Sequence, residues 1–404
     1  MFEQSPELLA RQLALLLLGA AVVGMLARRV GVPYAVALVV GGLLVEESHA
    51  ITVPTLDPAL VLFGFLPPLL FDAAFRLDTR EARLLLRPIL LLALPGTFFT
   101  ALVVGGIVAI ALHLPLAVGL LFGSLVAATD PVAIIGVFKS LRAPPRLAAI
   151  AEGESLINDG VAITMYTAVL GLALTGTGSA TDVVRIFGQE VVGGVLIGGL
   201  LGFAFSRLTA MVDDHLIEMM LSLALAYGSY AGAQWVHASG PLACVAAGVI
   251  HGSYGREMGM SENTRRLLDD LWEFLGFVAN AIVFVLVGFT ANLASLFAQA
   301  WPATAAILAV LLARVVLLGA PGLLLKDHHL KTSGAERVVL AWGGLRGALT
   351  ITLALALPPE TPDRELLVAM SFGVVLFTLL VQGMSLPLLL RQLGLVQPRK
   401  AVPR

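Results

Sequence analysis

Apolar runs of about 20 residues, the length a helix needs to cross a bilayer, return along this chain from one end to the other. No other feature limits its folding as severely. The 404 residues are 58% hydrophobic and only 13% charged, whereas soluble domains carry roughly a quarter charged residues. Buried fraction grows too slowly with chain length for a water-soluble core to absorb so much apolar sequence. The sequence therefore predicts an all-α membrane protein, because inside lipid each backbone amide must find its partner within the protein.

Thirteen spans are expected, at about 8–27, 33–46, 57–75, 84–112, 115–138, 147–173, 183–206, 213–236, 240–253, 268–291, 302–325, 335–357 and 365–390. The second and ninth are short. The first lacks a basic flank and an obvious cleavage site, so it reads as a retained span. Basic residues test the count independently. With the N-terminus outside and the C-terminus cytoplasmic, the connections on the inner side and the span ends beside them hold 20 of the 25 Lys and Arg. Outside are Arg11, Arg185 and Arg364, while Arg314 and Arg346 lie within spans. That alternation follows the positive-inside rule, and one helix more or fewer would scramble it. The formal charge of −2 offers no basic surface for nucleic acid. Cys244, the only cysteine, excludes an intrachain disulfide and a thiolate metal cluster.

The two halves echo one another weakly. Residues 30–42 resemble 236–248, with Pro33 and Pro241 each at the start of a span, and Gly64-Phe-Leu-Pro-Pro-Leu-Leu-Phe71 resembles Gly276-Phe-Val-Ala-Asn-Ala-Ile-Val283. Six spans per half, repeat one at about 8–173 and repeat two at about 213–390, flank a connector at about 183–206 and have opposite orientation. Inverted repeats of this kind place transporter sites where broken helices meet near the midplane. Matched breaks are present: span five is interrupted at Ala127-Ala-Thr-Asp-Pro131 and span twelve at Trp342-Gly-Gly-Leu-Arg-Gly347. Proline removes a helical donor, glycine loosens a helix, and unwound backbone at that depth must line a cavity or be buried in protein. Discontinuous helices five and twelve are expected to cross at a site carrying Asp130 and Arg346.

Ionisable residues inside spans are costly and mark function by default. The densest set is Glu152-Gly-Glu-Ser-Leu-Ile-Asn-Asp159 on span six. Glu154, Ser155, Asn158 and Asp159 fall within an arc of about 140° on one helix face. Two carboxylates, a hydroxyl and an amide suit a hard alkali cation and not zinc. A carboxylate removed from water resists ionisation, so a proton and a cation compete for one position.

Ala127-Ala-Thr-Asp-Pro-Val-Ala133, Gly153-Glu-Ser-Leu-Ile-Asn-Asp-Gly160, Phe65-Leu-Pro-Pro-Leu-Leu-Phe-Asp72 and Gly343-Gly-Leu-Arg-Gly-Ala348 resemble motifs of the monovalent cation/proton antiporter superfamily. The likeness is to its NhaP branch, related to the animal sodium/proton exchangers, and it covers essentially all the spans. It implies a transporter rather than an enzyme, with no cofactor beyond transported Na+ (or Li+) and H+. It implies a homodimer in lipid, each protomer having a mobile core of helices 3–6 and 10–13 against a dimerisation domain of helices 1–2 and 7–9. Asp159 resembles the essential cation- and proton-binding carboxylate. Asp130 and Thr129 resemble the broken helix's contribution, completed by Ser155 and Glu154, and the sodium ligands implied are Asp159, Asp130, Ser155 and Thr129. Asn158 matches the neutral partner of the electroneutral branch, and Arg346 an arginine expected to pair with Glu154 or another core acid. The plasma (inner) membrane of a prokaryote is the implied location.

Other residues are read more plainly. Asp72 is near Arg76 by helical spacing and is left out of the ligand set, and Glu273 is expected at the interface. Arg314 needs an acidic or carbonyl partner that the sequence does not identify. His328 and His329 are expected in a solvated loop. Gly31, Gly41, Gly42 and the 193–202 glycines suit close helix packing. No Walker loop is present to couple ATP. Rival readings are potassium/proton antiport on the same fold, sodium-coupled solute symport, a sensor without turnover, and an intramembrane aspartyl protease using Asp130 and Asp159. The last lacks the Gly-x-Gly-Asp arrangement expected of that group.

Overall fold

The structure is a computed structural model that describes residues 6–48, 57–175, 180–291, 293–319 and 333–396; His328 and His329 lie outside them. The described residues form helices and no strand. In chain order the main helices are α1 (Pro6–Val30), α2 (Tyr34–Ser48), α3 (Pro58–Phe75), α4 (Leu86–Leu112), α5 (Leu116–Leu125), α6 (Val132–Leu141), α7 (Pro145–Thr175) and α8 (Ala180–Thr209). They continue with α9 (His215–Trp235), α10 (Gly240–Ile250), α11 (Glu262–Thr290), α12 (Ala300–Gly319), α13 (Gly334–Trp342), α14 (Ala348–Leu355) and α15 (Arg364–Gln392).

Among the described residues, nine helices are long and apolar enough to cross a membrane. Each coincides with an expected span. The four remaining expectations fall on the two short helices, α2 with 15 residues and α10 with 11, and on the interrupted pairs α5–α6 and α13–α14. Local chemistry explains the starts and stops. Asp214 caps α9 by accepting from the amides of Leu216 and Ile217, and Ser333 with Glu336 closes a capping box on α13. In α3 the missing N–H of Pro68 would orphan the Gly64 carbonyl; the chain opens a wide turn at Val61–Phe65, and the Tyr227 hydroxyl donates to Gly64 O at 2.9 Å.

Burial ranks the helices. The apolar windows of α15 and α7 are the most buried, at 72% and 67%, against 11% for α1. Thus α7 is central, packed against α3, α4, α5, α6, α8 and α10, and α1 is peripheral. Glycine sets how closely the helices approach. Gly194, Gly198 and Gly202 bring α8 onto the Ser239, Ala243 and Ala247 backbone of α10, and Gly248 and Gly252 bring the other side of α10 onto Ala74 and the Phe75 carbonyl of α3. The packing role expected for the 193–202 glycines and for Gly42 is observed. Gly31 differs: it has φ +79° and makes the turn between α1 and α2.

Gly42 of α2 faces Gly288 of α11, and a Cβ on Gly42 would meet the Val285 carbonyl at 2.5 Å. Backbone cannot yield as a flexible side chain can. Gly42→Val should therefore lower the detergent melting temperature, with an overpacking cost of about 1–3 kcal/mol. Val40→Leu, two residues away and only partly buried, should be close to neutral in the same melt.

Candidate functional site

The first break runs from Val126 to Pro131, between α5 and α6. Its last residues are held from two directions. The Asp130 amide donates to the Leu345 carbonyl at 2.8 Å, and Asp130 Oδ1 accepts from the Val132 amide at 2.9 Å, capping α6. The other carboxylate oxygen lies against Gly347, where any Cβ would overlap it. So the two broken segments cross, and the crossing needs a glycine on one strand and an acidic cap on the other.

The second break, Gly343 to Gly347, separates α13 from α14. Helix α15 supports it through a wide turn at Thr378–Gly383, a feature that recurs at functional sites. Thr378 Oγ1 accepts from the Arg346 amide at 3.1 Å, and Gln382 Nε2 donates to the Trp342 carbonyl at 3.0 Å. The Trp342 indole donates to Ser385 Oγ at 2.9 Å. Backbone groups freed by unwinding thus find partners inside the protein, as burial requires.

Helix α7 presents its polar face to the first break. Asn158 Nδ2 donates to Thr129 Oγ1 at 2.7 Å, while its Oδ1 accepts from the Thr129 amide at 3.4 Å. An amide can both give and accept in this way; an ionised carboxylate cannot. Thr129 Oγ1 also lies 2.9 Å from Ser155 Oγ. All three residues are buried.

Asp159, one residue further, is partly exposed to a cavity of about 330 Å³ that Asp130 and Thr129 also line. Among the described residues, no donor satisfies the Asp159 carboxylate. The cavity also reaches Asp72, Arg76, Lys139, Glu152 and Glu273, and Arg76 joins Asp72 and Glu273, each at 2.8 Å. Asp72 is thus in an ion pair as its spacing suggested, and Glu273 is exposed. The arrangement offers a pocket lined by two carboxylates and a threonine, oxygen donors suited to an alkali cation or a proton.

With this geometry in view, comparison with known proteins is decisive. The family signature described as sodium/hydrogen exchanger, transmembrane, matches residues 14–392. The chain belongs to the sodium/hydrogen exchanger family. It is 38% identical over 358 residues to the Na(+)/H(+) antiporter NhaP of Pseudomonas aeruginosa, covering 84% of this chain and 82% of that one. It is 36% identical over 400 residues to the Na(+)/H(+) antiporter NhaH of Halobacillus aidingensis, covering 95% and 98%. Its fold matches the sodium proton antiporter MjNhaP1 of Methanocaldococcus jannaschii at pH 8, with a TM-score of 0.77, 22% identity, and 95% and 98% of the two chains covered. This exchanger-family chain is accordingly a multi-pass membrane protein.

One expectation is corrected. Arg346 does not pair with Glu154. Arg314 does, through both nitrogens of its fork, with Nη2 at 3.0 Å from Glu154 Oε2. Arg314 also donates to the Leu340 carbonyl at 3.4 Å, and it lies against Gly344, where a Cβ would come within 2.7 Å of its Nε. With both oxygens so occupied, Glu154 does not line the cavity. Arg346 is fully buried, and among the described residues its Nε and Nη1 have no hydrogen-bond partner. The reason is depth: span eleven brings Arg314 behind the polar face of α7, which sequence spacing within one helix does not reveal. Thr378 and Gln382 were also missed. Their signal was two polar side chains four residues apart in an otherwise apolar run, Thr378-Leu-Leu-Val-Gln382.

Removing one partner of a buried ion pair strands the other charge, at a cost of about 3–5 kcal/mol. Arg314→Ala should lower the melting temperature in detergent sharply. Arg314→Met combined with Glu154→Leu should recover much of it, because no charge is left unpaired. A double variant as unstable as the single one would show that the ion pair is not the source of the loss.

Proposed function

We propose that the chain is a secondary antiporter exchanging one Na+ (or Li+) for one H+ across the membrane. The observation that carries this reading is the crossing of two unwound segments at a water-reaching cavity whose inner end holds Asp159 and Asp130. Asp159 is the shared position, with Asp130, Thr129 and Ser155 completing an oxygen set for sodium. Protonated, Asp159 offers no charge to a cation; ionised, it attracts one. Ions exchange if only occupied states cross. Asn158 adds no second exchangeable charge beside Asp159, which favours one-for-one, electroneutral turnover.

The architecture proposed for this work has thirteen crossings, with two inverted six-helix repeats around α8. Family membership and the paired breaks support that reading. A core containing α3–α7 and α11–α15 would move as an elevator against α1–α2 and α8–α10, in a homodimer. The basic residues support an external N-terminus and a cytoplasmic C-terminus, and the bacterial and archaeal relatives support the inner membrane of a prokaryote. On that orientation the cavity, with Arg76 and Lys139 near its mouth, opens to the cytoplasm.

Purified protein in liposomes with an imposed pH gradient tests the proposal. Sodium or lithium should dissipate the gradient, choline should not, and Asp159→Asn should abolish the response; a surviving response would move the site elsewhere. The apparent sodium affinity should weaken as pH falls, because protons then hold Asp159. A potassium-diffusion potential should leave the rate unchanged, and strong dependence on potential would rule out electroneutral exchange.

A further inference from the structure

A groove of about 680 Å³ lies between the last turns of α12, the first turns of α13 and the end of α15. It shares no lining residue with the ion cavity. Its floor is apolar, with Leu311, Leu318 and Leu389 prominent. Val315, Val338 and Leu388 along its edges are exposed. In a membrane-spanning protein such side chains meet acyl chains and not water. From Gly334 to Trp342 the groove follows α13 for about 12 Å, at 1.5 Å per residue. One leaflet of hydrocarbon is about 15 Å deep.

The two ends of the groove differ. At the mouth, Gly319 and Gly334 each leave open space where a Cβ would stand, and Arg337 and Gln392 join them in the lining. The inner end is Trp342, whose indole is committed to Ser385 Oγ at 2.9 Å and which directly precedes the second break.

Charge at the mouth is one-sided. Among the described residues that line the groove, Arg337 is ionisable and none is acidic. Neighbouring Glu336 is turned to the helix cap, its Oε2 accepting from the Ser333 amide at 2.7 Å. Arg337 Nε is buried and, among the described residues, has no hydrogen-bond partner. A buried donor calls for an acceptor, and the guanidinium fork matches the oxygens of a phosphate.

We propose that this groove seats one anionic phospholipid, with an acyl chain along α13 as far as Trp342 and the phosphate on Arg337. The apolar floor selects a chain, and the lone arginine selects a headgroup without a cation of its own. The rival occupant is the chain's own 320–332 stretch. It carries Lys326, Asp327, His328, His329 and Lys331, polar groups that an apolar groove disfavours. Only the choice of the cytoplasmic leaflet rests on the orientation proposed above. The seat itself requires no ion to move.

Trp342 reports occupancy, because bromine on an acyl chain quenches an indole it touches. The full chain is reconstituted in phosphatidylcholine vesicles holding a small fraction of acyl-brominated phosphatidylglycerol or, in parallel, acyl-brominated phosphatidylcholine. Trp235 and Trp301 are exposed and meet both lipids, so they cancel in the comparison. Brominated phosphatidylglycerol should be preferred about fivefold, the gain one basic residue gives at an anionic surface. Trp342→Phe should abolish the excess quenching, and Arg337→Gln should bring the two lipids to parity. Arg337→Lys keeps the charge and should retain most of the preference. Arg391→Gln, at an exposed residue outside the groove lining, should leave it intact. Equal quenching by the two lipids in the unaltered chain overturns the seat, whether or not any variant folds. So does an excess that survives Trp342→Phe or Arg337→Gln, or displacement of the lipid by soluble glycerol phosphate. Absence of any Trp342 quenching by either lipid assigns the groove to the 320–332 stretch, and overturns it too. Quenching reads lipid contact alone, so failure of the seat and failure of sodium/proton exchange are separately visible.

Discussion

A single backbone hydrogen bond, from the Asp130 amide to the Leu345 carbonyl, fixes where the two broken helices cross. Unwound backbone in a lipid-surrounded protein is tolerable only when its amides and carbonyls are satisfied. Each break here meets that demand with groups from elsewhere: the first from Asn158 on α7, the second from Thr378 and Gln382 on α15. The site is thus a consequence of how four helices settle one another's orphaned polar groups. The carboxylates come to the cavity because the crossing puts them there.

Charge is sorted by depth around that crossing. Asp159 and Asp130 face water-reaching space. Glu154 and Arg314 turn the other way, pairing with each other behind the helix face. Neighbouring acids on one helix thus acquire different tasks, since one has both oxygens occupied and the other has none. The same physics makes Arg314 expensive to lose, for a buried carboxylate without its counter-ion has no water to turn to.

Much of this was legible in the sequence, and the reasons are specific. The breaks could be read because proline at 131 removes a helical donor, and glycines clustered at 343, 344 and 347 loosen a helix. Helical period alone placed Glu154, Ser155, Asn158 and Asp159 on one face, of which Glu154 is taken up by Arg314 instead of the cavity. What could not be read was pairing between helices. Arg314 and Arg346 are both lone arginines in apolar surroundings, and choosing which meets Glu154 requires knowing how α12 and the second break sit on α7. The supporting role of Thr378 and Gln382 was hidden for a similar reason. A wide turn in α15 aims them at the break, and nothing in a five-residue string announces such a turn.

Asn158 carries a consequence for how such a protein can evolve. Its side chain supplies the hydrogen that holds the Thr129 hydroxyl and the oxygen that receives the Thr129 amide. Exchanged for aspartate, the position would keep the second contact and reverse the first, the Thr129 hydroxyl now donating to the carboxylate and Ser155 Oγ, at 2.9 Å, free to donate to Thr129. Counting of charges and anchoring of the helix are thus written into one amide, and a charge added at this position also turns round the hydrogen bond that anchors the break.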